Sequence, residues 1–299
     1  MPRARVDGVE LYWERGGEGA PVVYIHGGFP GLATRLADFD GWTWTWEKDF
    51  ARRFDFVWYD RRGCYRSASP AEGYDLENQA RDLAGLLDHL RLASAHLIGS
   101  SAGGPISIVF AARWPHRTRS LVLAGTGLDL FPRGDPVSEL IRAQLALLQQ
   151  AGPDAAFDQR PAGVEATLGS LWARAEAEAR GRLDSYLERE RVLNERAQRV
   201  PRAQRVHQYA VELRGMQAYM AHDVRADARQ ITCPTLVLHG SDDRDVPLAW
   251  GEALARALPA AELRVLEGGG HSLVHRSDEG RRIAIEFIQR QVERAASPV

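Results

Sequence analysis

The chain has 299 residues, of which 44% are hydrophobic and 26% charged, enough apolar content for a large core with a deep site. A formal net charge of -2 provides no basic field for nucleic acid or anionic lipid. Two cysteines, Cys64 and Cys233, are too few for a disulfide framework or a cysteine-rich metal site. No apolar run follows the arginines of the first eight residues and no segment has the length of a bilayer span, so the expected location is cytoplasmic.

Residues 8–14 alternate in polarity and Gly16 to Gly19 supplies a turn, which predicts a hairpin into the next strand. Pro21 to Ile25 is apolar at consecutive positions, the pattern of a parallel strand covered on both faces, and it runs into His26-Gly27-Gly28-Phe29-Pro30-Gly31. Trp42, Trp44 and Trp46 are spaced by two, which places them in a loop or extended piece. A strand from Phe54 to Tyr59 then ends in Asp60-Arg61-Arg62-Gly63. Leu83, Leu86, Leu87 and Leu90 mark an amphipathic helix over 76–91. A strand over 96–98, a helix over 102–114 stopped by Pro115, and a strand over 120–124 follow.

From Gly127 the pattern changes. Residues 127–230 carry no convincing strand and show helical spacing, as in Val206, Tyr209, Ala210, Leu213, Met216 and Met220. Alternation resumes with a strand over 235–239, a helix near 248–258, a strand over 262–266 and a last helix from about Ser277. This order predicts an α/β core with a mostly parallel sheet, residues 1–126 and 231–299, interrupted by a helical cap over 127–230.

Three strand ends carry residues suited to acyl transfer. Gly99-Ser100-Ser101-Ala102-Gly103 follows an apolar strand and precedes a helix, with glycines where a sharp turn crowds the backbone around Ser101. A serine hydroxyl is a poor nucleophile unless a histidine takes its proton and a carboxylate orients that histidine. Later strand ends supply Gly240-Ser241-Asp242-Asp243-Arg244-Asp245-Val246-Pro247 and Gly268-Gly269-Gly270-His271-Ser272. The glycine run favours His271 over His275 as the base. Neutral histidine is required for that role, so activity should decline as pH falls through roughly 6 to 7.

In the order Ser101, acid, His271, with a His-Gly-Gly loop after an early strand, the chain resembles the α/β-hydrolase superfamily over its whole length. The resemblance implies an eight-stranded, mostly parallel sheet with helices on both faces and a cap inserted after the sixth strand. Its acid loop commonly reads Gly-x-x-Asp-x-x-Val-Pro, which selects Asp243, with Asp242, Asp245 and Asp129 as alternatives. It implies an oxyanion hole from the N–H of Ala102 and of Gly28, or Phe29 if the Gly-Gly register shifts, with His26 bracing the loop. No metal or organic cofactor is implied.

Ser101 would attack a carbonyl with His271 as base, and water would then hydrolyse the acyl-enzyme. The expected partner is a small-molecule ester or amide. Trp42, Trp44, Trp172, Tyr209, Met216, Tyr219 and Met220 are the candidate lining of an apolar acyl pocket. A carboxylesterase is the leading expectation. Dehalogenase and epoxide-hydrolase chemistry are disfavoured because serine, not aspartate, stands at the nucleophile position.

His26-Gly27-Gly28 and Asp60-Arg61-Arg62-Gly63-Cys64-Tyr65-Arg66-Ser67 resemble the prolyl-iminopeptidase branch, but Phe29 and Ala102 depart from it. An aminopeptidase is therefore the second expectation, with Glu165, Glu188, Glu195 and Glu212 available to hold an ammonium. A non-catalytic ligand-binding protein on the same fold ranks third.

Overall fold

Eight strands build one sheet in the computed structural model, which describes residues 2–36, 47–161 and 183–296 together with 164, 167, 168, 171, 174, 177, 178 and 181. They are β1 (Arg3–Val6), β2 (Val9–Gly16), β3 (Pro21–Ile25), β4 (Asp55–Tyr59), β5 (Ala95–Ser100), β6 (Thr118–Ala124), β7 (Thr235–Gly240) and β8 (Ala261–Leu266). Their order is β1-β2-β4-β3-β5-β6-β7-β8, antiparallel for the first two pairings and parallel from β4 onward.

The sheet departs from the sequence reading at its first edge. The hairpin joins β1 to β2, pairing Val6 with Val9 across Asp7 and Gly8, both of which have positive φ. Gly16 to Gly19 instead leads to β3, which is not a neighbour of β2, because β4 lies between them.

Alternate residues of the central strands feed two cores. Val23, Ile25, Val57, Leu97, Leu121, Leu123 and Val237 join one face, and Val22, Tyr24, Phe56, Ile98, Val122, Leu236 and Leu238 the other, as the period of two requires. A short helix α1 (Leu32–Arg35) precedes α2 (Glu47–Ala51). The first face is covered by α3 (Leu76–His89) and α4 (Gly103–Arg113), the second by Phe50 of α2 and by Ile285, Phe287 and Ile288 of the last helix. Asp75 starts α3 by accepting a hydrogen bond from the Asn78 N–H at 2.8 Å.

Between β6 and β7 the described elements are helices: α5 (Pro136–Asp158), α6 (Leu183–Gln198), α7 (Arg202–Ala221) and α8 (Arg225–Ala228). Asp135 caps α5, which kinks where Gly152 takes φ 84 before Pro153. Helix α7 has Val206, Tyr209, Ala210, Leu213 and Met216 all buried, so its apolar stripe packs inward. After β7 come α9 (Leu248–Ala257), α10 (Leu273–Arg276) and α11 (Asp278–Ala296).

Candidate active site

Ser101 lies at the carboxyl end of β5 with φ 49, a left-handed conformation that is unusual for a residue with a side chain. Close packing enforces the turn. A Cβ on Gly99 would come within 2.5 Å of Ser107 Oγ, and one on Gly103 within 2.2 Å of the Ile25 carbonyl oxygen. The Ser101 N–H donates to the Ala124 carbonyl at 2.9 Å, tying the turn to the end of β6.

The loops after β7 and β8 are packed together by their glycines. A Cβ on Gly240 would lie 2.2 Å from the Gly269 carbonyl oxygen, and the Asp242 N–H donates to that oxygen at 2.9 Å. This close approach brings His271 to Asp243, with Nδ1 at 2.9 Å from Oδ2 and 3.1 Å from Oδ1. The other bonds to Asp243 Oδ1 come from the N–H groups of Asp245 and Val246, at 3.0 and 2.9 Å. The Asp243 side chain is fully buried while that of His271 keeps 21% of its surface, so the pair has one anchored and one accessible member. Gly125, just beyond β6, fixes the pair relative to the serine strand: a Cβ there would meet the His271 carbonyl oxygen at 2.9 Å, and Asp243 Oδ2 and His271 Nδ1 at 3.3 Å.

The other candidate acids and the other histidine are placed elsewhere or otherwise engaged. Asp129 Oδ1 accepts from the Phe131 N–H at 2.9 Å, Asp242 is exposed, and Asp245 is half-buried. His275 is half-buried against the Tyr24 hydroxyl, and loss of solvent around it pushes its pKa down to about 4.

Gly27 sits directly against the serine, since a Cβ on it would lie 2.8 Å from Ser101 Cβ. Gly28 adopts φ 74, where glycine carries no steric cost. His26 is buried and held neutral, its pKa well below the ordinary range because of burial and then the Arg61 charge. Its Nε2 accepts from the Arg61 N–H at 3.1 Å, so Nδ1 carries the proton and donates to the Gly27 carbonyl at 2.7 Å. Phe29 packs its ring against Phe131 and Tyr219, with centroids at 5.3 and 5.4 Å. Ala102, at the start of α4, is buried, and its carbonyl accepts from the Tyr219 hydroxyl at 2.8 Å.

Among the described residues, one cavity adjoins His271 and another lies beside Tyr219. One of about 860 Å³ opens beside His271 and is lined, among the described residues, by polar groups that include Ser185, Tyr186, Asp245, Glu267 and Arg276. The other, about 340 Å³, lies between Leu128, Phe131, Arg142, Tyr219, Met220 and neighbouring residues.

The expected acyl-pocket lining is only partly met. Tyr219 and Met220 line the smaller cavity. Tyr209 donates to Gln144 Oε1 at 3.0 Å and crosses Phe157 edge-on, and Met216 is fully buried in the core. They fill the stripe by which α7 packs inward, a pattern that the helical spacing alone could not separate from a pocket wall. Trp42, Trp44 and Trp172 lie outside the described residues. Of the cap carboxylates, Glu212 is buried and accepts from Thr167 and, at 2.9 Å, from the Leu168 N–H, while Glu188 and Glu195 pair with Arg191 on an exposed face. Glu165 is outside the described residues.

Arg61, quoted in the sequence only as part of Asp60-Arg61-Arg62-Gly63, and the hydroxyl of Tyr219, expected only as pocket lining, meet behind the Gly27–Gly28 loop. The signal for Arg61 was present as a charged pair closing an apolar strand.

A sequence profile of the alpha/beta hydrolase fold matches residues 21–277. Among curated proteins, the chain is 29% identical over 273 residues to the non-heme chloroperoxidase CPO-A1 of Kitasatospora aureofaciens, covering 89% of this chain and 90% of that protein. It is 30% identical over 241 residues to the putative carbamate hydrolase RutD of Stutzerimonas stutzeri, covering 80% and 83%. The crystal structure of the enol-lactonase from Burkholderia xenovorans LB400 superposes with TM-score 0.66 at 26% identity, covering 96% of this chain and 100% of the lactonase.

Proposed function

Because the chain belongs to the alpha/beta hydrolase fold family, we propose that it is a serine hydrolase cleaving carboxylic esters of small or medium acyl groups through an acyl-enzyme on Ser101. The observation that carries this reading is the pairing of His271 Nδ1 with the buried Asp243 carboxylate, at the same sheet edge as a serine held at positive φ after β5, two strands from β7. Asp243 keeps the Nδ1 proton in place, which leaves His271 Nε2 as the basic nitrogen that takes the Ser101 proton. The alkoxide forms the acyl bond, the N–H groups of Ala102 and Gly28 (or Phe29) stabilise the oxyanion, and His271 returns the proton to the leaving alcohol. Water then attacks the acyl-enzyme by the same proton path.

Similarity to a putative carbamate hydrolase and to an enol-lactonase, whose substrate groups each contain an acyl carbonyl, supports this class. The helices over 127–230 act in this reading as a cap that selects the acyl group. The prolyl-iminopeptidase reading has less support, since Glu212, Glu188 and Glu195 are engaged in hydrogen bonds or ion pairs rather than presented to an ammonium.

A panel of nitrophenyl esters of increasing acyl length, set beside a proline arylamide, tests the assignment on wild type and Ser101→Ala. Ser101-dependent ester hydrolysis exceeding arylamide hydrolysis is expected. A strong arylamide preference would replace the esterase reading with the aminopeptidase one. No Ser101-dependent turnover of any substrate would leave the ligand-binding reading.

A further inference from the structure

Arg61 is 1% exposed, and a buried guanidinium is unfavourable unless its charge is compensated; its Nε has no hydrogen-bond partner among the described residues, so its two terminal nitrogens make the contacts. Its hydrogen bonds go to neutral oxygens: Gln79 Oε1 at 2.9 Å, the Tyr219 hydroxyl at 3.2 Å, the Gly27 carbonyl at 3.2 Å and the Gly28 carbonyl closer still. The hydrogen bonds of Asp60 Oδ2 and of Asp82 go to other arginines, Arg66 at 2.9 Å and Arg62 at 2.6 Å, and Arg61 has no carboxylate hydrogen-bond partner among the described residues. The charge is therefore balanced by dipoles, and two of those dipoles are the peptides of the loop that touches Ser101.

Peptide planarity turns this into an aiming device. The described backbone has no cis peptide bond, and in a trans peptide the C=O and N–H point in opposite directions. Drawing the Gly27 and Gly28 carbonyls onto one guanidinium directs the next two N–H groups, those of Gly28 and Phe29, away from it. The same cation meets Tyr219, whose hydroxyl proton goes to the Ala102 carbonyl. Tyr219 belongs to α7, which is backed onto the loop so tightly that a Cβ on Gly215 would lie 2.4 Å from Pro30 Cγ.

We propose that Arg61 is the positioning residue of the oxyanion hole, holding the Gly27–Gly28 carbonyls so that the loop N–H groups face the substrate, with Tyr219 linking that hold to α7 and Ala102. The inference rests on the hydrolase reading. It also places a fixed positive charge behind the peptides where negative charge develops in the transition state, an arrangement that contributes to kcat more than to substrate binding.

The test compares Tyr219→Phe, Arg61→Met and Arg61→Lys with wild type and Ser101→Ala. The readouts are melting temperature, kcat and KM on a nitrophenyl butyrate, and the affinity of a phenylboronic acid that forms a tetrahedral serine adduct. Tyr219→Phe keeps the ring against Phe29 and is expected to lower kcat about tenfold with KM within about twofold, and Arg61→Met about a hundredfold. Boronate affinity should fall by the same factors, and Arg61→Lys should recover part of the loss because it keeps the charge without the fork. Folded Arg61→Met with kcat and boronate affinity close to wild type overturns the proposal. Should Arg61→Met fail to fold, the same result in Tyr219→Phe overturns it. Ester hydrolysis surviving in Ser101→Ala breaks the underlying hydrolase reading, a separate outcome read from a separate variant.

Discussion

The loops at the carboxyl ends of β5 to β8 and the helices between β6 and β7 are built on different terms. In the loops, backbone geometry dictates nearly every residue: Ser101 at positive φ, Gly99, Gly103 and Gly240 where no side chain fits, and Asp243 held by two backbone N–H groups. In the helices the constraints are an inward apolar stripe and exposed ion pairs, such as Arg191 with Glu188 and Glu195 or Arg202 with Asp154 and Asp158. Exposed pairs of this kind contribute little to stability, so many sequences satisfy the second region and few satisfy the first. The proposed function ties the chemistry to the sheet and leaves variation in substrate to the helices between β6 and β7.

The sharpest break of that contrast is at Ser101. Ser101→Ala should lower kcat on any turned-over ester by about 10⁴-fold or more with an unchanged melting temperature, and a loss under tenfold would detach the chemistry from the sheet. Gly125→Ala comes next, because its methyl would meet both His271 and Asp243 from a backbone at φ 56. It should reduce kcat about 10- to 100-fold by misplacing the pair, and steady-state kinetics showing wild-type kcat would argue against tight coupling of β6 to that pair.

In the helices, Met220→Ala should enlarge the 340 Å³ cavity and shift the preferred acyl length upward by only a few-fold in kcat/KM. A uniform loss across all chain lengths would mean that Met220 serves the loops rather than selection.

The pH dependence of stability bears on the sheet side of the contrast, since its titrating groups lie outside the helices between β6 and β7. His26, His96 and His275 are held neutral by burial, with His96 and His275 at about 4 and His26 well below its ordinary 6.5. Between the unfolded value near 6.5 and the folded ones, the unfolded chain binds more protons, so their contribution is present above 6.5 and is lost as pH falls. Glu47 works the other way: burial raises it to about 8, so its contribution is complete below the ordinary 4.5 and is lost as pH rises through 8. Three groups outweigh one, and Tm should fall between about pH 7 and about pH 5. A Tm that rises over that interval in thermal melts would contradict the burial of these histidines.

Much of the sheet was legible because both faces of β3 to β7 are covered, which writes them as continuous apolar runs. β1 was not, since Arg3 and Arg5 keep their exposed face charged and the Asp7-Gly8 turn that makes its hairpin went unread. Ser101, Asp243 and His271 stood out because glycines flank the turns that carry them. An inward helix stripe and a pocket wall share one periodicity, so the spacing of Tyr209 and Met216 does not separate the two. The meeting of Arg61 with Tyr219 joins residues 158 positions apart, and no local pattern encodes such a contact.

The central claim is that Ser101 is the nucleophile. It is tested most directly by treating the protein with an organophosphate carrying a nitrophenyl leaving group, then measuring intact mass, the modified peptide and residual ester hydrolysis. The account predicts one adduct per chain on the peptide bearing Ser101, activity lost in step with its formation, and no adduct in Ser101→Ala. An adduct on another residue that abolishes hydrolysis, or full turnover by a chain fully modified at Ser101, would contradict it.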